Sequence, residues 1–290
     1  MTDSIRLAVV QPHAHPAVEA ARNVEDAVAH IRTAAADGAE LVLFPEGYPG
    51  PLRVESSFDA EPAIADAALA GGCAVCWSRI ERFEDGLHRK VAYVTGADGT
   101  RELRYVRGHP ATGDVHPVLS GTALMPGDGF GLVDIGGVRV GVLICSELWI
   151  TEIARVLALG GAEILLAPAG GGFGAVAENW QLVARVRALE NQCFVGLTQN
   201  LFGDEPGAAL IAGPEALLAD GPRDAIVTAD LDLARARWLR ERDDSMEKPK
   251  PFTALPGLLR ARRPELYGAL AEPREGLYDY EAAGRKGTEA

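Results

Sequence analysis

The stretch Lys90-Val-Ala-Tyr-Val-Thr-Gly-Ala-Asp-Gly-Thr-Arg-Glu-Leu-Arg-Tyr-Val-Arg107 reads as two strands folded back on each other. Apolar and β-branched residues fill both arms. Between them stands Asp98-Gly99, a pair that accepts the positive φ angles of a two-residue type I′ turn. With those two as the loop, facing residues sum to 197, and Lys90 lies directly opposite Arg107. Two cations opposed on one face repel unless an anion sits between them. The alternative is that both long side chains splay into solvent. A second hairpin signal runs over 130–144 and turns at Gly136-Gly137.

Around these hairpins, helical and strand-like runs alternate. Residues 5–10, 40–44, 73–80, 163–167, 194–198 and 225–231 are short apolar runs of strand type. Residues 18–36, 60–70, 151–159 and 175–191 carry apolar residues at helical spacing. Neither a repeat nor a low-complexity linker divides the 290 residues. Length alone suggests two domains, but the interspersed elements point to one α/β domain of stacked layers, residues 1–267. The polar stretch 268–290 is expected to be disordered or to dock on a partner subunit.

Composition narrows the function. The formal net charge of −13 argues against a nucleic-acid partner and against docking on an anionic membrane. No apolar run approaches the roughly 18 residues of a membrane span, and no basic n-region marks a signal peptide. The expectation is a cytoplasmic protein. Four cysteines are too few for a disulfide framework at this length. Cys73-Ala-Val-Cys76 has redox or half-zinc spacing, but it lies in a strand-like run with no second pair, which favours two buried apolar cysteines.

Three places carry candidate chemistry. Glu46 follows a strand in Leu-Phe-Pro-Glu-Gly, and strand ends are where α/β folds build ligand sites. Cys145 ends a strand in Gly-Val-Leu-Ile-Cys-Ser-Glu-Leu-Trp ahead of a helical run, where a thiolate and oxyanion-binding amides can meet. Lys90 and Arg107 form the third place, with His109 beside them. Tyr48, Glu147 and Trp149 flank these positions and complete the substrate-binding candidates with His109.

This ordered set resembles the carbon–nitrogen hydrolase, or nitrilase, superfamily. The likeness runs over roughly 5–267. It includes Gln11, Gly38-Ala-Glu-Leu-Val-Leu-Phe-Pro-Glu46, Leu103 to His109, Pro126-Gly-Asp128, Gly141-Val-Leu-Ile-Cys145, the 180–191 segment with Arg185, Arg187 and Glu190, Asn200, and Arg263-Pro-Glu-Leu-Tyr267. The resemblance implies a four-layer αββα sandwich that pairs through outer helices as αββα–αββα, a homodimer. It implies Glu46 as general base and Cys145 as nucleophile, with no cofactor and no metal. It also implies a Lys and a second Glu, where this sequence has Arg107 and Ser120. Lys90, across the hairpin, is the expected replacement ammonium, with a pKa lowered by its Arg neighbour. Arg107 is then free to hold a substrate carboxylate or Glu46 and to tolerate replacement by Lys. Asp114 or His116 is available to stand in for the missing carboxylate. Arg187 and its helix are expected to support the site and not to react.

The expected function is cysteine-dependent hydrolysis of a small amide or carbamoyl compound, less readily a nitrile, through a thioester. The alternative is a relative with altered or lost catalysis, serving in binding, regulation or acyl transfer. A metal hydrolase built on His13-Ala-His15 is a third option, disfavoured by the hairpins, because barrel strands are all parallel. Substrate choice falls to the loops 48–58, 110–121 and 170–178.

Overall fold

A computed structural model of the chain describes residues 2–54, 56–115, 121–170, 176–200, 207–222, 224–241, 250–251 and 257–288. The first half contains β1 (Ser4–Val10), α1 (Arg22–Ala36), β2 (Leu41–Leu43), α2 (Glu61–Gly71), β3 (Ala74–Arg82), β4 (His88–Thr95), β5 (Arg101–Val106) and the short α3 (Thr112–Val115). The second half contains β6 (Gly131–Ile135), β7 (Val138–Val142), α4 (Thr151–Leu159), β8 (Ile164–Ala169), α5 (Ala177–Asn191), β9 (Phe194–Gln199), β10 (Ala209–Ala212), β11 (Leu217–Asp220), β12 (Ile226–Asp232), α6 (Leu233–Arg240) and α7 (Tyr280–Thr288).

The strands form two six-stranded sheets, β12-β1-β2-β3-β4-β5 and β11-β10-β9-β8-β7-β6. Each has a parallel centre, β1-β2-β3 in one and β7-β8-β9 in the other, with antiparallel strands outside it. Parallel centres are buried on both faces, and three apolar clusters supply the contacts. The alternate residues Leu7 and Val9 of β1, and Val140 and Val142 of β7, fill the space between the sheets. Ala8, Val10, Val42 and Val75 face the other way, onto Ala27 and Ile31 of α1 and Ile64 of α2. Leu165 and Leu197 likewise meet Leu157 of α4 and Ala184 of α5. The period of two in each strand thus fixes four layers, α1/α2, sheet, sheet, α4/α5, the expected αββα sandwich.

The alternation also disposes of the Cys73/Cys76 spacing. Cys73 packs in the helical layer and Cys76 between the sheets, so the two thiols sit on opposite sides.

The hairpin register holds, but the turn differs from expectation. The loop has three residues, Ala97 to Gly99. The Gly96 N–H donates to the Thr100 carbonyl (2.8 Å), and Gly99 takes the positive φ of 81°. A bulge at Val94/Thr95 absorbs the extra residue and returns the pairing to Val91↔Val106. The Arg107 N–H accordingly donates to the Lys90 carbonyl at 3.0 Å. Gly136 and Gly137, both at positive φ, close the second hairpin as expected.

The tail, expected to be disordered or to dock on a partner subunit, packs in part against its own chain. Residues 264–270 make two short 3-10 turns, and α7 packs against α3 of the same chain.

Candidate active site

Glu46 lies just beyond β2, where the Leu-Phe-Pro sequence ends the strand. Its backbone is clamped from the second sheet: its N–H donates to the Ala169 carbonyl (3.1 Å), and the Asn200 side-chain amide donates to its carbonyl (2.6 Å). Its carboxylate therefore points into the seam where the two sheets' strand ends meet. There Oε1 accepts from Lys90 Nζ at 2.8 Å and from an Arg107 terminal nitrogen at 2.7 Å. Oε2 faces Gly170; a Cβ on that glycine would stand 2.5 Å from it.

Asp114 completes a quartet. Its Oδ1 accepts from Lys90 Nζ at 2.7 Å and its Oδ2 from Arg107 at 2.5 Å, with a further hydrogen bond from the Ala111 N–H. All four side chains are at least nine-tenths buried. Two anions and two cations alternate, so the hairpin's cation pair has its anions and the buried charge cancels. The arrangement corrects two expectations. Burial drives Lys90 toward neutrality, but Asp114 and Glu46 outweigh it and Arg107 together, so its pKa is raised, not lowered. Of the two partners expected for Arg107 it holds Glu46, and it also donates to the Ser146 hydroxyl (2.6 Å) and the His109 carbonyl (3.0 Å), which leaves little of its fork for a substrate carboxylate. A compact lysine ammonium cannot match that four-partner fork, so tolerance of Lys at 107 is not supported. Asp114 is held well below the usual carboxylate range: burial raises it, and the two cations more than reverse that.

Cys145 opens a 3-10 turn, Cys145–Trp149, at the end of the β7 strand segment. It adopts φ 55°, in the left-handed region that costs a non-glycine residue about 1 kcal/mol or more. Burial and the Glu46 charge push its thiol up to about 12. Arg107, the Gly170 N–H that hydrogen-bonds it, and Lys90 pull the other way. The resting group is a thiol, and the groups that would help ionise it surround it.

Glu147 was expected to touch substrate but is fully buried. Its oxygens accept from the Tyr105 hydroxyl (2.8 and 2.9 Å) and from the N–H groups of Gly108 (2.9 Å), His109 (3.0 Å) and Ile144 (2.7 Å). It ties the loop after Arg107 to the Cys145 turn. Gly127 supports the same loop: its N–H donates to the Arg107 carbonyl (2.8 Å), and a Cβ there would meet the Val106 carbonyl at 2.6 Å. Arg187 pins the far end of the turn, donating to the Leu148 and Trp149 carbonyls at 2.9 and 3.0 Å. It supports the site and does not enter it.

Tyr48 does not reach the site: it is fully buried in the layer under α1 and α2, its ring 5.3 Å from Phe44. Trp149 is exposed and stands edge-on to Trp180 at 5.2 Å. His109 is half-buried, its Nδ1 3.5 Å from Glu147. Ser120 and His116 lie outside the described residues. Of the His13/His15 pair, His15 is paired with Asp26 of α1 at 2.7 Å. Among the described residues no group of three or more His, Cys, Asp or Glu is arranged as a metal site, and no helix is long and apolar enough to cross a membrane.

Asp114 is the residue that sequence reasoning found only as one option of two. Its signal was weak: an acidic residue in a loop, seven positions after Arg107, with no periodicity to aim it.

Comparison with known proteins bears on the family and the fold. The carbon–nitrogen hydrolase family model matches residues 6–241. The omega-amidase NIT2 of Homo sapiens is 27% identical over 237 residues, 76% of this chain and 86% of that protein. The "hydrolase in pqqF 5'region" of Pseudomonas protegens is 33% identical over 255 residues, 82% of each chain. A carbon–nitrogen hydrolase structure from Helicobacter pylori superposes with a TM-score of 0.78 at 21% identity, covering 93% of this chain and 99% of the other. An amidase from Nesterenkonia sp. gives 0.71 at 20% identity, covering 93% and 98%. The chain belongs to the carbon–nitrogen hydrolase family.

Proposed function

We propose that the protein is an amidase that hydrolyses the C–N bond of a small amide or carbamoyl compound through a thioester on Cys145. The observation that carries this reading is the buried cluster in which Glu46 accepts from Lys90 (2.8 Å) and Arg107 (2.7 Å) while Arg107 also reaches Ser146 (2.6 Å), the residue next to Cys145. A mutant of the Nesterenkonia amidase, a neighbour in fold, shows covalent addition of the acetamide moiety of fluoroacetamide at its active-site cysteine; the relatives named omega-amidases point to the same bond type.

In this mechanism Glu46 takes the Cys145 proton as Sγ attacks the carbonyl carbon. Lys90 has three N–H donors, and Glu46 and Asp114 take two of them. The third is assigned to the oxygen that becomes negative in the tetrahedral adduct. When the adduct collapses, the C–N bond breaks and the nitrogen leaves with the proton held by Glu46. A water then gives a proton to Glu46 and attacks the thioester. The acid departs, and Sγ recovers its proton. Lys90 and Asp114 here replace the family's Lys and second Glu, so the exchange at 107 and 120 relocates charge instead of abolishing catalysis.

The exposed apolar side chains Val156 and Leu159 of α4 and Leu182, Val186 and Leu189 of α5 form one outer face. We assign that face to the homodimer contact. A cytoplasmic location and a small-molecule partner complete the proposal.

The test is ammonia release from amides, carbamoyl amino acids and nitriles, with intact-protein mass spectra of the quenched reaction. The expected result is turnover of a small amide with an acyl adduct on Cys145, both lost in Cys145→Ala. Turnover that survives Cys145→Ala overturns the reading.

A further inference from the structure

The C-terminal helix α7 comes back to the site. Its first residue, Tyr280, stands edge-on to His109, ring centroids 5.7 Å apart at 88°, and Tyr278 stacks edge-on behind it at 4.9 Å. The helix rests on α3, the turn that carries Asp114. At Gly284 it comes so close that an added Cβ would meet the Met125 sulfur at 2.5 Å. Met125 is buried, and its neighbour Leu124 donates its N–H to the Asp114 carbonyl (2.8 Å). The helix is thus seated on the segment that holds the quartet's second carboxylate. Burial raises the Tyr280 hydroxyl's pKa, Arg107 opposes that rise, and Tyr278 and Glu147 add to it. The phenol therefore lies within electrostatic reach of two residues buried in the site.

We infer that α7 walls the mouth of the active site in its own subunit and that Tyr280 sets the size of acyl group admitted to Cys145. This inference rests on the amidase reading. The wall is steric: a rigid aromatic ring braced by His109 and Tyr278, on a helix seated against Met125 at Gly284. Residues 268–290 then act in substrate selection in cis.

Access to Cys145 tests the wall without requiring turnover. Wild type, Tyr280→Ala and Tyr280→Phe are treated separately with iodoacetamide, a small reagent, and N-phenylmaleimide, a bulky one; the Cys145 peptide is followed by mass. Tyr280→Ala is expected to raise the bulky-to-small rate ratio by about tenfold, the discrimination a few missing pocket atoms give, while Tyr280→Phe leaves it unchanged. Across straight-chain amides, kcat/KM in Tyr280→Ala should shift toward longer acyl chains. Gly284→Pro, which breaks α7 in its interior, should reproduce the ratio change even if Tyr280→Ala does not fold. A ratio within about twofold of wild type in a folded Tyr280→Ala or Gly284→Pro overturns the inference. If wild type hydrolyses no amide, the amidase reading fails instead, and the alkylation ratio still reports on the wall.

Discussion

The alternating quartet of Glu46, Lys90, Asp114 and Arg107 makes a quantitative prediction, because removing one member leaves its neighbours charged, buried and unpaired. In Lys90→Met, two carboxylates share one guanidinium. Breaking a buried pair this way costs about 3–5 kcal/mol. With an unfolding entropy near 2.1 cal/mol/K per residue, a chain of this length loses about 1.6 °C per kcal/mol, so Tm should fall on the order of 5–8 °C. Asp114→Asn should cost a similar amount, because it strands the cations. In the double variant, Glu46 and Arg107 remain as a neutral pair. Its loss should then be smaller than the sum of the two single losses by about 1–3 kcal/mol. Activity should not follow stability. Lys90→Met removes the proposed oxyanion donor, and kcat should drop about 10²- to 10³-fold in both the single and the double variant. Thermal melts and single-turnover kinetics on the four proteins decide the matter. Additive stability losses would refute the charge-balance argument, and full activity in Lys90→Met would refute the role of its ammonium.

The same cycle has a pH signature. The folded Asp114 pKa is depressed, so its contribution is complete above the unfolded value near 3.9 and is lost as pH falls through the lower folded value. The folded Lys90 pKa is raised, so its contribution is complete below about 10.4 and is lost only as pH rises through a still higher value. Between about pH 5 and pH 9 both contributions are present. The Tm gap between wild type and Asp114→Asn should hold across that window and close below about pH 4.

Three further outcomes follow from particular contacts. Gly170→Ala places a Cβ against Glu46 Oε2; displacing the base by about 1 Å should cut kcat/KM about 100-fold with little change in Tm. Glu46→Gln removes one of the two causes that push the Cys145 thiol up to about 12, leaving Arg107, Gly170 and Lys90 to lower it. The pH midpoint of Cys145 alkylation should therefore fall while hydrolysis is lost; an unchanged midpoint would contradict the assigned proximity. Leu182→Glu puts a charge on the outer face of α5 and should shift the molar mass measured by light scattering from dimer to monomer.

The parts of this structure that were legible in the sequence are those governed by local periodicity and chain punctuation. Asp98-Gly99 fixed the 90–107 hairpin well enough to set Lys90 opposite Arg107, although the loop is one residue longer and a bulge restores the register. Glu46 and Cys145 were found because each follows a clean apolar strand. Tyr48 was misplaced because proximity to Glu46 in sequence says nothing about side-chain direction: two residues on, the chain has turned into the helical layer. Glu147 looked like a site residue because it follows Cys145, yet its oxygens are occupied by hydroxyl and backbone donors from two separated segments, 105–109 and Ile144. The strands β10 and β11, the helix α6 and the helix α7 were missed. The four-residue strands are too short for an alternation signal, and α7 carries glycines at 284 and 287, poor helix formers that tertiary packing overrides.

In the proposed mechanism, where the proton goes during turnover follows from which groups can release one. Both buried cations hold theirs more tightly than usual: Lys90 has a raised pKa despite complete burial, and Arg107 is raised as well. Asp114 is held ionised by its two partners. None of these three changes its charge near neutral pH, so each acts as a fixed charge and not as a proton carrier. Glu46 is the quartet member placed against Gly170, whose N–H bonds the thiol, and it is the one left to take the proton and return it. This division of labour explains how the ammonium can sit at 90 instead of 107. A residue that only supplies charge can enter from either strand of the hairpin, provided it reaches Glu46 Oε1 and a second carboxylate balances the extra cation. Position 46 has no such freedom, since the base must sit at the strand end that faces Cys145.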